Sequence, residues 1–92
     1  GGRIGTFRPT GYNLKTYQLS IFDQWGNLIW YSNLLNDGSP AEGWDGTSNG
    51  ELMKMDSYIW KIDATFEDGT EWKGYKTESG KYSKFGNVLL IR

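Results

Sequence analysis

The sequence predicts an all-β domain, an immunoglobulin-like antiparallel β-sandwich of about seven short strands. Three observations carry this. Apolar residues alternate with period 2 in the best-defined runs, and no segment sustains a 3.6-residue period. Clusters of Gly, Asn, Asp and Ser punctuate those runs. The 92 residues include 5 Trp, 6 Tyr and 4 Phe, and each aromatic can bury about 150–250 Å². A chain this short forms one domain and buries roughly 60–65% of its surface, so a core of large rings suits it.

Residues 1–5, "GGRIG", read as an expression scar or truncated linker, and residues 6–92 as a single domain belonging to something longer. They contain no apolar stretch of a secretory leader. In "KTYQLSIF" (15–22) Tyr17, Leu19 and Ile21 share one face, with Gln18 and Ser20 on the other. "LIWYS" (28–32) resumes with Leu28 and Trp30 on one side, Ile29 and Tyr31 on the other. The bend between them, Trp25-Gly26-Asn27, can supply the positive φ of a hairpin turn. A tryptophan in a turn needs a reason, and the simplest is that Trp25 folds back to plug one end of the sandwich. Trp44 suits the same role.

Residues 33–51 read as consecutive turns, and "NGELMKMD" (49–56) as at most one helical turn. "SYIWKIDATF" (57–66) is the clearest strand, with Tyr58, Trp60, Ile62, Ala64 and Phe66 in phase. Asp68-Gly69 signals a type I′ hairpin, with residues 70–77 as the returning strand. "ESGKYSKFG" (78–86) reads as a polar loop and "NVLLIR" (87–92) as a last strand, either paired internally or offered as an edge to a partner.

Several function classes lose support at once. The chain has no Cys and no His, which removes thiolate chemistry and the commonest general base and transition-metal ligand. Acidic pairs such as Glu67-Asp68 lie in turns, where capping is their usual work. No catalytic residue, cofactor or enzymatic activity is predicted. Lys+Arg 10 against Asp+Glu 11 gives a net charge of -1, so nucleic acid is not an expected partner.

Two binding patterns remain. Counted from Asp45, oxygen side chains fall at Thr47 and Asn49, with Gly50 sixth and Asp56 twelfth, a partial echo of a calcium loop. Turn chemistry at Asp45-Gly46 and Asn49-Gly50 accounts for the same residues, and the twelfth place lacks the bidentate Glu. Exposed tryptophans in a row would suit a sugar platform, giving a surface-adhesion or carbohydrate-binding module as the alternative function. The alternation instead places Trp60 and Trp30 toward the core.

The ordered motifs resemble a family. "YQLSIFDQWGNLIWYS" is similar to the "IFNRWGNLVF" type of segment in the gliding-motility-associated C-terminal domains of Bacteroidetes, the type B sorting domains of the type IX secretion system. "GWDGTSNGELMKMDSYIWKIDATFEDGTEWKG" looks like the segment that follows there, with its W-D-G, N-G and Y-x-[YW] signatures. "GNVLLIR" resembles the family's G-x-V-x-L-I-R ending. The likeness covers nearly the whole chain from Thr6. It departs where the family carries an acidic N-G-D-G-x-N-D segment before its T-F, and where Lys54-Met55-Asp56 replaces Pro-x-Gly.

The resemblance implies a C-terminal sorting signal that directs an upstream cargo in the same chain through the outer-membrane translocon of a Gram-negative bacterium. The destination would be the cell surface or the medium, and a SprF/PorP-type outer-membrane protein would be a further partner. Under this reading the translocon-recognition candidates are Lys73, Gly74, Gly86, Asn87, Val88, Leu89, Leu90, Ile91 and Arg92. The signature residues that hold the fold are Trp25, Gly26, Asn27, Trp44, Asp45, Gly46, Asn49, Gly50, Tyr58 and Trp60.

Overall fold

The run that alternates most cleanly in sequence becomes the strand on which the others assemble. A computed structural model describes residues 7–91; Gly1–Thr6, including the 1–5 segment, and Arg92 lie outside the described residues. Numbering strands in chain order, β1 is Leu14–Phe22, β2 Leu28–Ser32, β7 Ser57–Phe66 and β10 Phe85–Leu89. They form one antiparallel sheet in the order β10-β7-β1-β2. β7 is paired along both edges, which fits its β-branched and aromatic content.

Directly opposed residues share a face, so the register defines the core. Tyr17↔Ala64, Leu19↔Ile62, Ile21↔Trp60 and Tyr58↔Val88 all point to one side. That side is covered by residues 33–53 and three two-stranded ribbons. These are β3 (Leu35–Asn36) with β4 (Ser39–Pro40), β5 (Thr47–Ser48) with β6 (Glu51–Leu52), and β8 (Tyr75–Lys76) with β9 (Tyr82–Ser83). Trp44 is 0% exposed. It meets the Tyr58 ring edge-on at 5.1 Å and donates its indole N–H to the Thr47 carbonyl at 2.9 Å. Backbone bonds in both directions tie it to Phe7. The all-β antiparallel expectation holds. The second layer is made of ribbons rather than a second full sheet, which raises the strand count from about seven to ten among the described residues.

The turns explain most of the differences from the sequence reading. Asn49-Gly50 and Asp37-Gly38 have positive φ at both residues, so these are the type I′ hairpins. Glu51-Leu52 is therefore strand, not a helical turn. At Asp68-Gly69 only the glycine has positive φ. Gly69 N–H donates to the Phe66 carbonyl and Phe66 N–H to the Thr70 carbonyl. This is a three-residue loop, a type I turn closed by a glycine bulge. The same pair of bonds closes Asp23–Asn27 and Thr77–Lys81, so "DQWGN", "FEDGT" and "TESGK" are one device used three times. The segment 78–86 is thus a structured hairpin rather than a simple loop.

The strand returning from Gly69 follows β7 only to Trp72, whose N–H donates to the Ala64 carbonyl. Beyond that point the edge is taken: Ile62 N–H donates to the Lys84 carbonyl, and β10 fills positions 57–61. The chain instead turns out into β8–β9. A Glu71–Lys84 ion pair ties the two segments sharing this edge.

β10 also begins and ends earlier than expected. Leu90 lies past its end, 1% exposed, with its N–H donated to the Asp56 carbonyl. At Gly86 the opposite residue is Trp60, whose ring lies where a side chain would stand. A Cβ there would sit 2.7–3.0 Å from three ring atoms. Gly86→Ala is expected to cost about 1–3 kcal/mol, seen as a melting temperature lowered by roughly 4–8 °C per kcal/mol.

Buried Ser32 is satisfied by donating to Glu42 at 2.7 Å. Tyr17 is 5% exposed, and burial pushes its phenol up from 10.0 to about 12. The folded state holds that proton to a higher pH than the unfolded chain. The contribution of this group to stability is therefore full below pH 10 and is lost as pH rises from 10 through 12. Urea midpoints measured across that window should decline, and Tyr17→Phe should flatten the part due to this group.

Candidate recognition surface

Asp23 organises the turn at the end of β1. Its Oδ1 accepts the Trp25 and Asn27 backbone N–H groups, both at 2.9 Å, and its Oδ2 accepts the Asn27 side-chain amide at 3.0 Å. The Asn27 side chain, then its backbone amide, hold the Asp23 carboxyl below its ordinary value. Gly26 at φ 85 closes the loop. Trp25 sits at the tip.

Trp25 does not plug the sandwich. It is 80% exposed. The place assigned to it is filled by Trp44, Tyr58 and Leu90, which are all buried. A type I turn with a glycine bulge carries its third residue beyond the last strand pair, away from that packing. The result is a large ring on a short, carboxylate-braced support.

Asp56 joins this turn to the last strand. Its Oδ2 accepts the Gln24 side-chain amide at 2.7 Å, and its carbonyl accepts Leu90 N–H. Its Oδ1 caps Ser57 N–H at 2.8 Å, and Lys54 Nζ lies 3.7 Å from Oδ2. Asp56 has no positive φ, so an aspartate here costs no backbone strain.

Antiparallel pairing gathers four strand ends on this side: the end of β1, the start of β2, the start of β7 and the end of β10. Trp25, Leu28, Leu89 and Ile91 are exposed there. Leu28, Phe22, Ile59 and Asn87 form a row across the outer face, and Tyr31, Ser20, Lys61 and Phe85 form the next. Leu28 therefore does not share a face with Trp30. A bulge between Ile21 and Phe22 shifts the phase by one residue, which is why simple alternation misplaced it and passed over this apolar strip. β10 pairs with β7 alone, and its other edge has no strand partner among the described residues. The opposite edge, β2, is partly closed by the Ser48 hydroxyl donating to the Ile29 carbonyl at 2.8 Å.

The recognition candidates divide. Asn87, Leu89 and Ile91 are exposed on or beside β10, whereas Val88 is half-buried, Leu90 is core and Gly86 underlies Trp60. Lys73 is exposed, and Gly74 backs onto Ser83, whose carbonyl oxygen lies 2.3 Å from where a Cβ would be. Both belong to the β8–β9 region rather than to the Trp25 end. Arg92 lies outside the described residues.

Trp44, Tyr58, Asp45, Gly46, Asn49 and Gly50 serve the fold. Asp45 Oδ1 accepts the Thr47 N–H and hydroxyl, while Asn49-Gly50 forms the ribbon tip. Asp45 and Asp56, proposed from spacing as calcium ligands with Asn49, are thus engaged elsewhere: Asp45 in its own turn, and Asp56 with Gln24, Ser57 and Lys54. No group of three or more acidic side chains gathers among the described residues. Of the five tryptophans, only Trp25 is among the exposed large side chains, so no row of exposed indoles is present.

No family model, curated protein or solved structure matches the chain.

Trp25→Ala is expected to change stability by no more than about 0.5 kcal/mol, the range for an exposed site. A clear fall in melting temperature would show that the ring packs. The Trp25 and Asn27 amide resonances should titrate with Asp23 below the ordinary carboxylate range. The turn's contribution is present above that range and lost as pH falls through the lowered value.

Proposed function

We propose that this chain is a sorting domain of the type IX class, a folded address on a secreted or surface-exposed cargo and not a catalyst. The observation that carries this reading is the convergence of two motifs far apart in sequence. The W-G-N turn and the last strand meet at one end of the sheet, linked through Asp56. The motif order described above supplies the class, and the geometry supplies a surface suited to being read.

In this reading the translocon, or a SprF/PorP-type outer-membrane protein, takes the Trp25 ring as an anchor. Aromatic anchors in the centre of a contact commonly carry 2 kcal/mol or more. The free edge of β10 offers backbone groups for strand addition, with Asn87 and Leu89 giving side-chain contact. The adhesion or sugar-binding alternative lacks the exposed tryptophan row it needs.

Removing residues 87–92 would test folding rather than recognition, because Val88 and Leu90 pack in the core. Point changes on the surface separate the two. Residues 6–92 fused to a periplasm-directed fluorescent protein should reach the surface or medium only with a working translocon. Trp25→Ala and Leu89→Lys should each reduce export by about tenfold or more, with the fold intact by circular dichroism. Full export of the double variant would refute this docking surface, and export without the translocon would refute the function.

A further inference from the structure

Residues 73–84, the β8–β9 ribbon with its flanks, hold four lysines and one glutamate. That is a local charge of +3 in a chain whose total is -1, so the remaining residues sum to -4. Lys84 is turned back onto Glu71 at the base of the ribbon. Lys73, Lys76 and Lys81 are exposed, and none has an ion-pair partner among the described residues. Glu78, the one acid of the segment, lies in the loop at the tip.

These cations stand on a firm support. The Tyr75 ring meets Trp60 edge-on at 5.5 Å and Trp72 edge-on at 5.1 Å, which fastens β8 to the body. Gly74 lies so close to the Ser83 backbone that no side chain fits between them. The glycine-bulge turn from Thr77 to Lys81 closes the far end. Tyr75 opposes Ser83 and Lys76 opposes Tyr82, and directly opposed residues share a face. Lys76 and Tyr82 therefore stand together on the face turned away from the Trp60 and Trp72 rings. Tyr82 is 58% exposed.

We propose that the β8–β9 ribbon docks on an anionic lipid surface, with Lys73, Lys76 and Lys81 meeting the headgroups and Tyr82 seated at the interface. Gathering like charges on one thin ribbon costs self-repulsion, and a facing negative surface removes that cost. The negative remainder of the molecule is held away from such a surface, so the charge asymmetry also sets the orientation. Tyrosine is favoured at the boundary between water and hydrocarbon, where its ring and its hydroxyl are both satisfied. A nucleic-acid reader would favour guanidinium forks on phosphates and base edges, and the ribbon has no arginine. The ribbon lies apart from the Trp25 end, so this inference stands independently of the sorting proposal.

The test is co-sedimentation of the whole chain with vesicles of phosphatidylcholine alone, and of phosphatidylcholine and phosphatidylglycerol in equal parts. The chain should sediment with the mixed vesicles only, and about 1 M salt, which shortens the screening length to about 3 Å, should release it. Each of Lys73→Gln, Lys76→Gln and Lys81→Gln should weaken binding about fivefold, and the triple variant about a hundredfold. Tyr82→Ala should weaken it as well. Lys15→Gln, at an exposed lysine of β1 outside the ribbon, should bind as the unaltered protein does. Circular dichroism should show every variant folded. Failure to sediment at low salt, equal binding to both vesicles, or a triple variant that binds normally would overturn the proposal. So would loss of binding in Trp25→Ala with the ribbon variants unaffected, which would place the contact at the other end. Tighter binding to a DNA duplex than to the mixed vesicles at equal phosphate would overturn it in favour of nucleic acid.

Discussion

The ladder between β1 and β7 is the constraint on which the rest of the structure depends. These two strands run side by side from Phe22↔Ile59 to Leu14↔Phe66, and every other strand of the main sheet attaches to one of them. Such a pairing must close the whole segment between them, and the entropy of that closure is recovered only when the inner faces are covered. The covering comes from the closed segment itself. Residues 33–53 fold back as ribbons and carry Trp44 onto Tyr58. Pairing and burial are thus one event, which suits a chain with no disulfide to shorten the loop.

A second economy lies in the turns. Three loops share one backbone solution, a type I turn ended by glycine at positive φ. In two of them an aspartate accepts N–H or hydroxyl groups from residues ahead of it: Asp23 at the first loop and Asp68 at the second. Neither bond set buries much surface. Each instead limits the conformations of a tip that would otherwise be loose. That is how the backbone of Trp25 can stand in solvent and still be held in a narrow range of conformations, which in the proposed docking role lowers the ordering cost of contact.

The molecule has two ends with different physical character. At one, the core is sealed by Leu90, Trp44 and Tyr58, and apolar side chains stand outside on a firm base. At the other, the seal is incomplete, leaving a cavity beside an enclosed hydroxyl. The first end presents apolar groups outward and the second leaves a hollow in the packing. The sheet between them keeps these two surfaces apart.

Local chemistry was legible in the sequence. Alternation located the central strand to the residue, the absence of a helical period gave the fold class, and Gly-containing turn signals marked the hairpins. Those features depend on neighbours along the chain, which a sequence displays directly. The role of Trp25 was not legible, because whether a ring plugs a core depends on what else reaches that place, and Trp44 and Leu90 come from distant segments. The outer apolar strip was hidden by a bulge that shifts the side-chain phase by one residue. Asp56 gave no sign that it would join a turn to the last strand. Sequence therefore determined which segments become strands and where the chain bends. Only the tertiary structure decided which large side chains are used up by the core and which are left facing outward, because that allocation is a competition for one limited volume.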